Sequence, residues 1–408
     1  LATMKKEIVI VGGGFGGIRA ALSLARKKFI DAHITLISDK SHFEYTPAFY
    51  RVVTGHSPLE VCIPITEIIS KKEILFINER VESVNLSPQT LIGSSGKVYH
   101  YDYVVFALGS ETSYFGIPGL PTFSYGFKSI GEAQKLKLHI RRLFEQCVVE
   151  ANPDEKVCLL NVVVVGGGPS GTELAGELSV FLKKLSEEYN VSPSLVSIEL
   201  MEGTERILPS LPEHVSRRVA DRLRHLGVNI FVHRPMTLEK MEEINVRGLT
   251  MKTETVIWTA GVKPNSLYER IQGFDRDKKG RIVVDTFLRA KGFENVYVIG
   301  DGASTIYSGM AQTAICDGAN VATNIVRQLS GIPLVSYRQR KPYYAIPVGH
   351  GWAASSVGPI TFYGKLGWLI RRAADVKYFL TILPPRKALL VFQRGKNLCK
   401  SCGICDTQ

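Results

Sequence analysis

Two glycine fingerprints, each following an apolar run, constrain this chain of 408 residues more than any other feature. They are Glu7-Ile-Val-Ile-Val-Gly-Gly-Gly-Phe-Gly-Gly17 and Asn161-Val-Val-Val-Val-Gly-Gly-Gly-Pro-Ser-Gly171. Both match G-x-G-x-x-G, the first at Gly12, Gly14 and Gly17 and the second at Gly166, Gly168 and Gly171. In a strand–turn–helix unit these glycines allow a tight turn, close approach of a pyrophosphate and close helix packing. A single match is weak, but two of them predict two dinucleotide sites in one chain.

The apolar segments around these loops predict two α/β units. In the first unit, residues 6–12, 33–38 and 103–107 are predicted buried strands and residues 16–28 a helix. The second unit has a predicted helix over 131–150, a strand–turn–helix over 161–184 and strands over 196–202 and 256–261, and a further strand over 295–301 follows it. The glycine and proline residues of Phe115-Gly-Ile-Pro-Gly119 indicate a crossover between the units. This order predicts one nucleotide-binding domain inserted into another.

Polar residues follow several of the predicted strands. Glu202 ends the second strand of the second unit, where a carboxylate binds the adenosine ribose hydroxyls and repels a 2′-phosphate. Glu202 therefore predicts a preference for NADH over NADPH. The alternative interpretation is a surface glutamate with no role in binding. Ser38 and Asp39 hold the equivalent place in the first unit, where an ordinary turn also fits. Asp301, directly after Gly300 at a strand end, could order the ribityl hydroxyls and pyrophosphate of a flavin.

These residues together resemble the two-dinucleotide-binding-domain flavoproteins, and most closely the type II NADH dehydrogenases (NADH:quinone oxidoreductases). Besides the glycine fingerprints, the segments that carry the resemblance are Tyr45-Thr-Pro-Ala-Phe-Tyr50, Phe115-Gly-Ile-Pro-Gly119, Ile207-Leu-Pro209, Trp258-Thr-Ala-Gly-Val262, Val298-Ile-Gly-Asp301 and Ala311-Gln-Thr-Ala314. The resemblance implies an α/β fold with two Rossmann-like domains and a C-terminal amphipathic membrane-binding segment. We expect an FAD domain over 1–113 and 265–335, an inserted NADH domain over 114–264 and the membrane segment over 336–408.

The resemblance also implies the residues of each site. It places Glu173 near the nicotinamide and flavin rings, although a carboxylate that offsets the helix dipole is an alternative, and it places Gln312 on the quinone side. The expected FAD-site residues are Gly12, Gly14, Phe15, Gly16, Gly17, Ser38, Asp39, Thr46, Val81, Ala107, Gly109, Gly300, Asp301 and Gln312. The expected NADH-site residues are Gly166, Gly168, Pro169, Ser170, Gly171, Glu173, Glu202, Ala260 and Gly261. No metal site is assigned.

One departure from the family pattern and the cysteines keep other functions open. The family's quinone-side helix has a second glutamine where this chain has Cys316, which we expect to be buried and inert. The seven scattered cysteines indicate a reducing compartment and no disulfide framework. A sulfide:quinone oxidoreductase stays an alternative, because Cys158 and Cys316 could pair beside a flavin. The second alternative function is an NADH-sensing signalling flavoprotein of the apoptosis-inducing-factor kind.

The C-terminal segment combines basic and apolar residues. The chain has a formal net charge of +12. Residues 365–400 contain nine Lys and Arg but only one acidic residue, Asp375, and so hold most of that excess. The apolar residues at helical spacing are Leu366, Leu369, Ile370, Ala373, Val376, Leu380 and Leu383, and the predicted opposite face carries Lys365, Arg371, Arg372 and Asp375. Trp368 and Tyr378 are predicted interfacial anchors. Such a helix lies in the interface of an anionic membrane without spanning it, and we expect that its removal leaves a working flavoprotein.

The expected partners are a membrane quinone and an anionic membrane surface, with no nucleic acid. We expect a peripheral location on the cytoplasmic face of the inner or plasma membrane. Packing of the C-terminal helix in a homodimer is the alternative to membrane binding. The tail Cys399-Lys-Ser-Cys402-Gly-Ile-Cys405 resembles the start of an iron–sulfur ligand run, but the fourth cysteine is absent. We therefore expect solvent-exposed or adventitiously metal-binding thiols there and assign no cluster.

Overall fold

The computed structural model describes residues 5–27, 31–240, 243–246 and 249–393. Its strands are β1 (Lys6–Val11), β2 (Ala32–Ser38), β3 (His42–Glu44), β4 (Cys62–Pro64), β5 (Leu75–Asn78), β6 (Val81–Asn85), β7 (Thr90–Gly93), β8 (Val98–His100), β9 (Tyr103–Phe106), β10 (Ser110–Thr112), β11 (Asn161–Val165), β12 (Ser197–Met201), β13 (Val228–Phe231), β14 (Met236–Lys240), β15 (Glu243–Val246), β16 (Leu249–Lys252), β17 (Thr255–Trp258), β18 (Val262–Pro264), β19 (Val296–Val298), β20 (Ala345–Pro347), β21 (Ala353–Val357) and β22 (Ile360–Phe362).

The helices are α1 (Phe15–Ala25), α2 (Phe49–Val53), α3 (Ile65–Ile68), α4 (Leu120–Phe123), α5 (Ile130–Val149), α6 (Pro153–Leu160), α7 (Pro169–Glu188), α8 (Glu213–His225), α9 (Leu267–Arg270), α10 (Ala311–Leu329), α11 (Gly364–Ile382) and α12 (Pro385–Phe392). The strands and helices predicted in the two α/β units are confirmed to within a few residues at their ends. The tail cysteines Cys399, Cys402 and Cys405 lie outside the described residues.

The first of two parallel sheets has the strand order β19-β9-β1-β2-β5, and every neighbouring pair in it is parallel. Ile10 on β1 lies between Leu36 on β2 and Val105 on β9, and all three side chains are fully buried. Such apolar strands suit a parallel sheet that is covered on both faces. The carboxyl ends of β1, β2, β9 and β19 therefore meet along one edge.

The second parallel sheet has the order β13-β12-β11-β17. All of its strands fall in the sequence between β9 and β19, so this unit is inserted into the first. The chain leaves through β10 and returns through β18, and these two strands pair antiparallel with Glu111 opposite Lys263. This pairing supports the predicted insertion, while the domain boundaries at 113/114, 264/265 and 335/336 stay predictions.

Helix α10 crosses closely over α1 because Gly318 has no side chain. A Cβ atom at Gly318 would lie 2.4 Å from the carbonyl oxygen of Gly16 and 3.0 Å from the amide nitrogen of Ala20. The close approach brings the start of α10 to the same sheet edge as the first glycine loop. The helix that the sequence places on the quinone side is thus fixed against the first nucleotide unit.

The C-terminal helix α11 packs on the rest of the protein through the face that carries charge. Its buried residues are Gly367, Arg371, Asp375, Phe379 and Ile382. Leu366, Leu369 and Leu380 are 53 %, 56 % and 48 % exposed. The prediction that Arg371 and Asp375 lie on an outer polar face is therefore wrong. A periodic pattern separates two faces of a helix, but it does not say which face meets the protein.

The buried charges of α11 are possible because they find partners inside the protein. Asp375 Oδ1 lies 3.3 Å from Arg371 Nη1 and accepts a hydrogen bond of 2.6 Å from the Tyr45 hydroxyl. Arg371 Nη2 donates to the Pro47 carbonyl at 2.7 Å. A buried ion pair persists only when further hydrogen bonds satisfy its remaining polar atoms. These contacts anchor α11 to the segment that precedes α2.

Two further expectations about α11 change with this packing. Tyr378 stacks on Tyr45 with ring centroids 5.5 Å apart and contacts Phe15 at 5.1 Å, so its assignment as an interfacial anchor is wrong. Phe379 and Val391 are 3 % and 1 % exposed. Removing the segment would uncover this apolar surface, which is at odds with the expectation that it can be cut away. Within the described residues, no helix combines the length and apolar character that a bilayer span needs.

Asp375→Ala should lower the free energy of unfolding by about 3–5 kcal/mol, because it leaves the buried guanidinium of Arg371 without its carboxylate. Lys377→Ala removes an exposed charge of the same helix and should change that energy by less than about 0.5 kcal/mol. Urea denaturation followed by fluorescence measures both. Equal stabilities of the two variants would contradict the buried pairing.

Candidate functional site

A cavity of about 510 Å³ opens where the carboxyl ends of the first sheet's strands meet. Open α/β sheets bind ligands at this edge, and the volume is in the range of small-molecule and cofactor sites. Of the residues predicted from the sequence, those that line the cavity are Gly12, Gly14, Phe15, Gly16, Ser38, Asp39, Thr46, Ala107, Gly109, Pro169, Ser170, Glu173, Gly300, Asp301 and Gln312. Residues from both nucleotide units thus line one cavity.

Two residues predicted for the FAD site do not line the cavity. Gly17 lies beneath the first loop, where an added Cβ would be 1.9 Å from the Gly12 carbonyl oxygen. Its contribution is the close packing of α1 on β1. Val81 is 5 % exposed and belongs to the apolar core with Val9 and Val11.

The first glycine loop leaves open space where a ligand would approach. Gly12 has φ +111°, and a Cβ there would lie 2.3 Å from the Ala107 carbonyl oxygen. Gly14 lines the cavity, and a Cβ there would meet nothing within 4 Å. Gly14 also caps α1 without a side-chain hydrogen bond, so the N–H groups of the first turn and the positive dipole end face the cavity. This arrangement suits a pyrophosphate.

The second loop repeats this geometry at the ends of β11, β12 and β17. A Cβ at Gly171 would lie 1.9 Å from the Gly166 carbonyl oxygen, whereas one at Gly168 would meet nothing within 4 Å. Gly166 packs against Ala260, since its Cβ would be 2.7 Å from the Ala260 Cα. The predicted residues Gly166, Gly168, Gly171, Glu202, Ala260 and Gly261 lie at this loop rather than on the main cavity wall.

Glu202 is bound to the second loop itself. Its carboxylate accepts hydrogen bonds from the backbone N–H groups of Gly167 at 2.8 Å and Thr204 at 2.7 Å. These contacts hold an acceptor at the end of β12, next to the glycine turn. The ribose contact of Glu202 stays a prediction.

Polar residues that the sequence did not single out hold Asp301 in place. Ser110 Oγ donates to Asp301 Oδ2 at 2.5 Å, and Lys128 Nζ donates to Ser110 Oγ at 3.0 Å. Asp317 supports the same turn, since its Oδ2 accepts the Gly300 N–H at 2.9 Å. Burial raises the pKa of Asp317 to about 6 against the opposing effect of a Tyr337 hydrogen bond. Lys128 lies far from any recognisable motif, so the sequence held no signal for it.

Gln312 lies on the cavity wall as predicted, whereas Cys316 is not buried as predicted. Gln312 lines the cavity, but its amide makes two hydrogen bonds to the Tyr343 backbone, from Nε2 to the carbonyl at 2.9 Å and from the Tyr343 N–H to Oε1 at 3.0 Å. The amide thus fastens the segment before β20 to α10. Cys316 is exposed, so the expectation of a buried cysteine is wrong. It is not among the residues that line the cavity.

Glu173 lies on the cavity wall near the start of α7, at the junction of the two units. Burial raises its pKa to about 8, and the nearby Arg371 guanidinium opposes this shift. Arg371 lines the same cavity, is 7 % exposed, and has an Nε–H group without a hydrogen-bond partner. The sequence had assigned Arg371 to the polar face of a membrane-bound helix, and the structure places it on the cavity wall. Only the i,i+4 spacing to Asp375 could have signalled this pairing.

The described cysteines do not form a redox or metal centre at the cavity. Cys62, Cys147 and Cys158 are buried, Cys316 is exposed, and none of these four forms a disulfide. None of them is among the residues that line the cavity. Within the described ranges, no group of three or more His, Cys, Asp or Glu is arranged to hold a metal ion.

Comparison with known proteins agrees with this geometry. The model of the pyridine nucleotide-disulphide oxidoreductase family matches residues 6–318, a range that includes both glycine loops. The chain belongs to this family. The predicted α/β fold with Rossmann-like sheets is thereby confirmed, and the protein is an oxidoreductase by family.

Curated relatives match over most of the chain. The type II NADH:quinone oxidoreductase of Mycobacterium tuberculosis is 29 % identical over 398 residues, which cover 92 % of this chain and 85 % of the relative. The type II NADH:quinone oxidoreductase of Staphylococcus haemolyticus is 29 % identical over 344 residues, which cover 81 % and 84 %.

Solved structures share the fold. NDH2 from Plasmodium falciparum in complex with NADH has a TM-score of 0.85 at 18 % identity, covering 97 % of this chain and 100 % of that chain. The sulfide:quinone oxidoreductase of Aquifex aeolicus has a TM-score of 0.77 at 22 % identity, covering 98 % of each chain. At these identities the likeness shows the fold alone, so function has to come from the site.

Gly14→Ala and Gly17→Ala should separate ligand approach from folding. A methyl group at Gly14 enters open space on the cavity wall, so that variant should fold normally but purify with less bound flavin. The same change at Gly17 puts a methyl group against the Gly12 carbonyl oxygen and should lower the melting temperature of the protein. Circular dichroism and flavin absorbance measure the two effects. Full flavin occupancy in a well-folded Gly14→Ala protein would show that no pyrophosphate lies there.

Proposed function

We propose that the protein is an FAD-dependent NADH:quinone oxidoreductase of the type II, non-proton-pumping kind. The observation that carries this proposal is the convergence of both nucleotide units on one cavity. The first glycine loop forms one wall, and Pro169, Ser170 and Glu173 from the start of α7 form another. A cofactor held by the first loop and a dinucleotide held by the second would therefore meet at Glu173.

The residues present suit FAD in the first site. The open space at Gly14 and the uncapped start of α1 would receive its pyrophosphate. Asp301, fixed by Ser110, would accept hydrogen bonds from ribityl hydroxyls. Bound FAD supplies the redox chemistry, accepting a hydride from NADH and passing two electrons to a quinone. The protein supplies binding, orientation and the electrostatic field.

The second loop suits NADH. Gly168 leaves room for the pyrophosphate at the start of α7, whose cap makes no side-chain hydrogen bond. Glu202 would bind the adenosine ribose hydroxyls, and its charge would disfavour the 2′-phosphate of NADPH. Glu173, four residues into α7, would lie beside the nicotinamide at the cavity.

The quinone side of the proposal involves α10 and α11. Met310, Gln312 and Ala314 from the start of α10 line the cavity together with Arg371 and Ala374 from α11. The Gln312 amide keeps Tyr343 and the following residues against α10. Gln312 would therefore shape the quinone entrance, and the buried Arg371 would offer an N–H donor to a quinone oxygen.

Steady-state oxidation of NADH with a water-soluble quinone tests the proposal. We expect turnover of many per second, which an enzyme needs and a signalling flavoprotein does not. A sulfide:quinone oxidoreductase would instead reduce quinone with sulfide. The described cysteines disfavour that reaction, since none of them lines the cavity. Flavin reduction by sulfide but not by NADH would overturn the proposal.

Glu173→Gln should change the reduction of the flavin by NADH in a pH-dependent way. With a pKa of about 8, the carboxyl is mostly neutral below pH 8, where glutamine imitates it and the rates should be similar. Above that pH the wild-type carboxylate favours the positive charge that forms on the nicotinamide. Stopped-flow reduction should therefore accelerate with pH in the wild-type protein and stay level in the variant. Parallel pH profiles would place Glu173 away from the nicotinamide.

We also propose that α11 and α12 bind the protein peripherally to an anionic membrane, on the cytoplasmic face of the inner or plasma membrane. The outer face of this pair carries exposed apolar residues with basic residues among them. They are Leu366, Leu369, Leu380, Leu389 and Leu390 and Lys365, Lys377 and Arg386. The buried charges do not weaken this surface, because Arg371 and Asp375 point inward. A homodimer through the same leucines is the competing use.

Replacing Leu366, Leu369 and Leu380 together with glutamine should reduce co-sedimentation with anionic vesicles. Salt should weaken binding of the wild-type chain without abolishing it, because screening removes the charge attraction and leaves apolar burial. Leu138→Gln changes an exposed leucine elsewhere (63 % exposed) and serves as the control. If the wild-type protein does not bind vesicles but sediments as a dimer, and the triple variant is a monomer, these leucines form a dimer interface instead.

A further inference from the structure

A second, partly buried carboxyl lies one helical turn behind Glu173, and the proposed chemistry leaves it unassigned. Glu177 follows Glu173 by four residues on α7, so the two side chains lie on the same face of the helix. Next to this face α7 packs tightly, since a Cβ at Gly176 would lie 2.8 Å from Val348 Cγ1. Glu173 reaches the cavity wall, whereas Glu177 is not among the residues that line it.

The side of Glu177 away from the cavity leads towards the surface through charged groups. Arg51 on α2 and Arg222 on α8 are its cationic neighbours. Arg51 Nη1 pairs with Glu60 Oε2 at 2.9 Å, and His56 Nδ1 lies 3.9 Å from Glu60 Oε1. The His56 side chain is 38 % exposed and the Arg51 side chain 17 %. Polar groups therefore continue from Glu177 to solvent.

The charges facing the two carboxyls differ. Glu173 faces Arg371 and Asp375 on α11, Glu177 faces the two arginines named above, and Tyr50 on α2 faces both carboxyls. Burial raises the pKa of Glu177 to about 7, and Arg51 and Arg222 oppose that rise. Glu173, with a pKa of about 8, is raised further because Asp375 and Glu177 add to the burial effect.

We propose that Glu177 is a proton-relay residue that passes protons from solvent beside Arg51 and His56 to Glu173 at the cavity. The relay rests on the proposed function. Reduction of a quinone to a quinol takes two electrons and two protons, and the hydride of NADH provides both electrons and one proton. The second proton must come from water.

The relay accounts for that second proton. The O–H bond of Glu173 breaks as its proton moves to the reduced quinone oxygen. The O–H bond of Glu177 then breaks as its proton moves to the Glu173 carboxylate, and Glu177 takes a new proton from solvent. A side chain or one water must bridge each transfer, because proton transfer needs hydrogen-bond contact.

Glu177→Gln in the FAD-loaded protein tests the relay, because glutamine keeps the shape and cannot carry the proton. Stopped flow with a water-soluble quinone should show reoxidation slowed about tenfold, together with loss of the wild-type pH step near pH 7. Reduction of the flavin by NADH takes no proton from water, so its rate should stay within about twofold of wild type. Glu187→Gln on the exposed side of the same helix should leave both half-reactions unchanged.

A second readout does not depend on turnover. Infrared spectroscopy should show a protonated carboxyl band that disappears as the pH rises through about 7. That band should be absent from Glu177→Gln and present in Glu187→Gln. Wild-type reoxidation rates and pH step in Glu177→Gln, or an unchanged band, would overturn the relay. A wild-type protein that NADH cannot reduce would instead overturn the proposed function.

Discussion

Two backbone contacts that leave no room for a side chain set the geometry on which the rest of the structure depends. At Gly17 and Gly171 a Cβ atom would lie 1.9 Å from the carbonyl oxygen of the glycine five residues earlier. These contacts fix α1 on β1 and α7 on β11, so that each helix starts at the carboxyl edge of its sheet. The unpaired N–H groups of both first turns then face ligand space.

Burial of charge links the C-terminal helix to the same site. Arg371 and Asp375 enter the interior because each has a partner there, Arg371 on the Pro47 carbonyl and Asp375 on the Tyr45 hydroxyl. The guanidinium lies on the cavity wall and opposes the rise in the Glu173 pKa. One helix therefore presents leucines outward and a fixed positive charge inward. A membrane bound to its outer face would lie next to the proposed quinone entrance of the cavity.

The fold shared with a sulfide:quinone oxidoreductase shows why the site has to decide the function. The two folds agree over 98 % of each chain, but shared architecture hosts different chemistry. Here the deciding features are local: a glutamate at the junction of the two nucleotide units, and described cysteines that do not line the cavity. Both favour hydride transfer from a nicotinamide over sulfur chemistry.

The sequence by itself determined the two parallel units, their order and most of the cavity wall. Glycine spacing and apolar strands act over a few residues, so local chemistry was enough to place Gly12, Gly14 and Asp301. Only the tertiary structure decided which face of α11 points inward, that Cys316 is exposed, that Val81 is a core residue and that Lys128 supports Asp301 through Ser110. Those facts depend on contacts between segments far apart in the chain, such as Tyr45 with Asp375 (330 residues apart). A helical pattern gives the spacing of a face, whereas the partner that covers it comes from the packing of the whole protein.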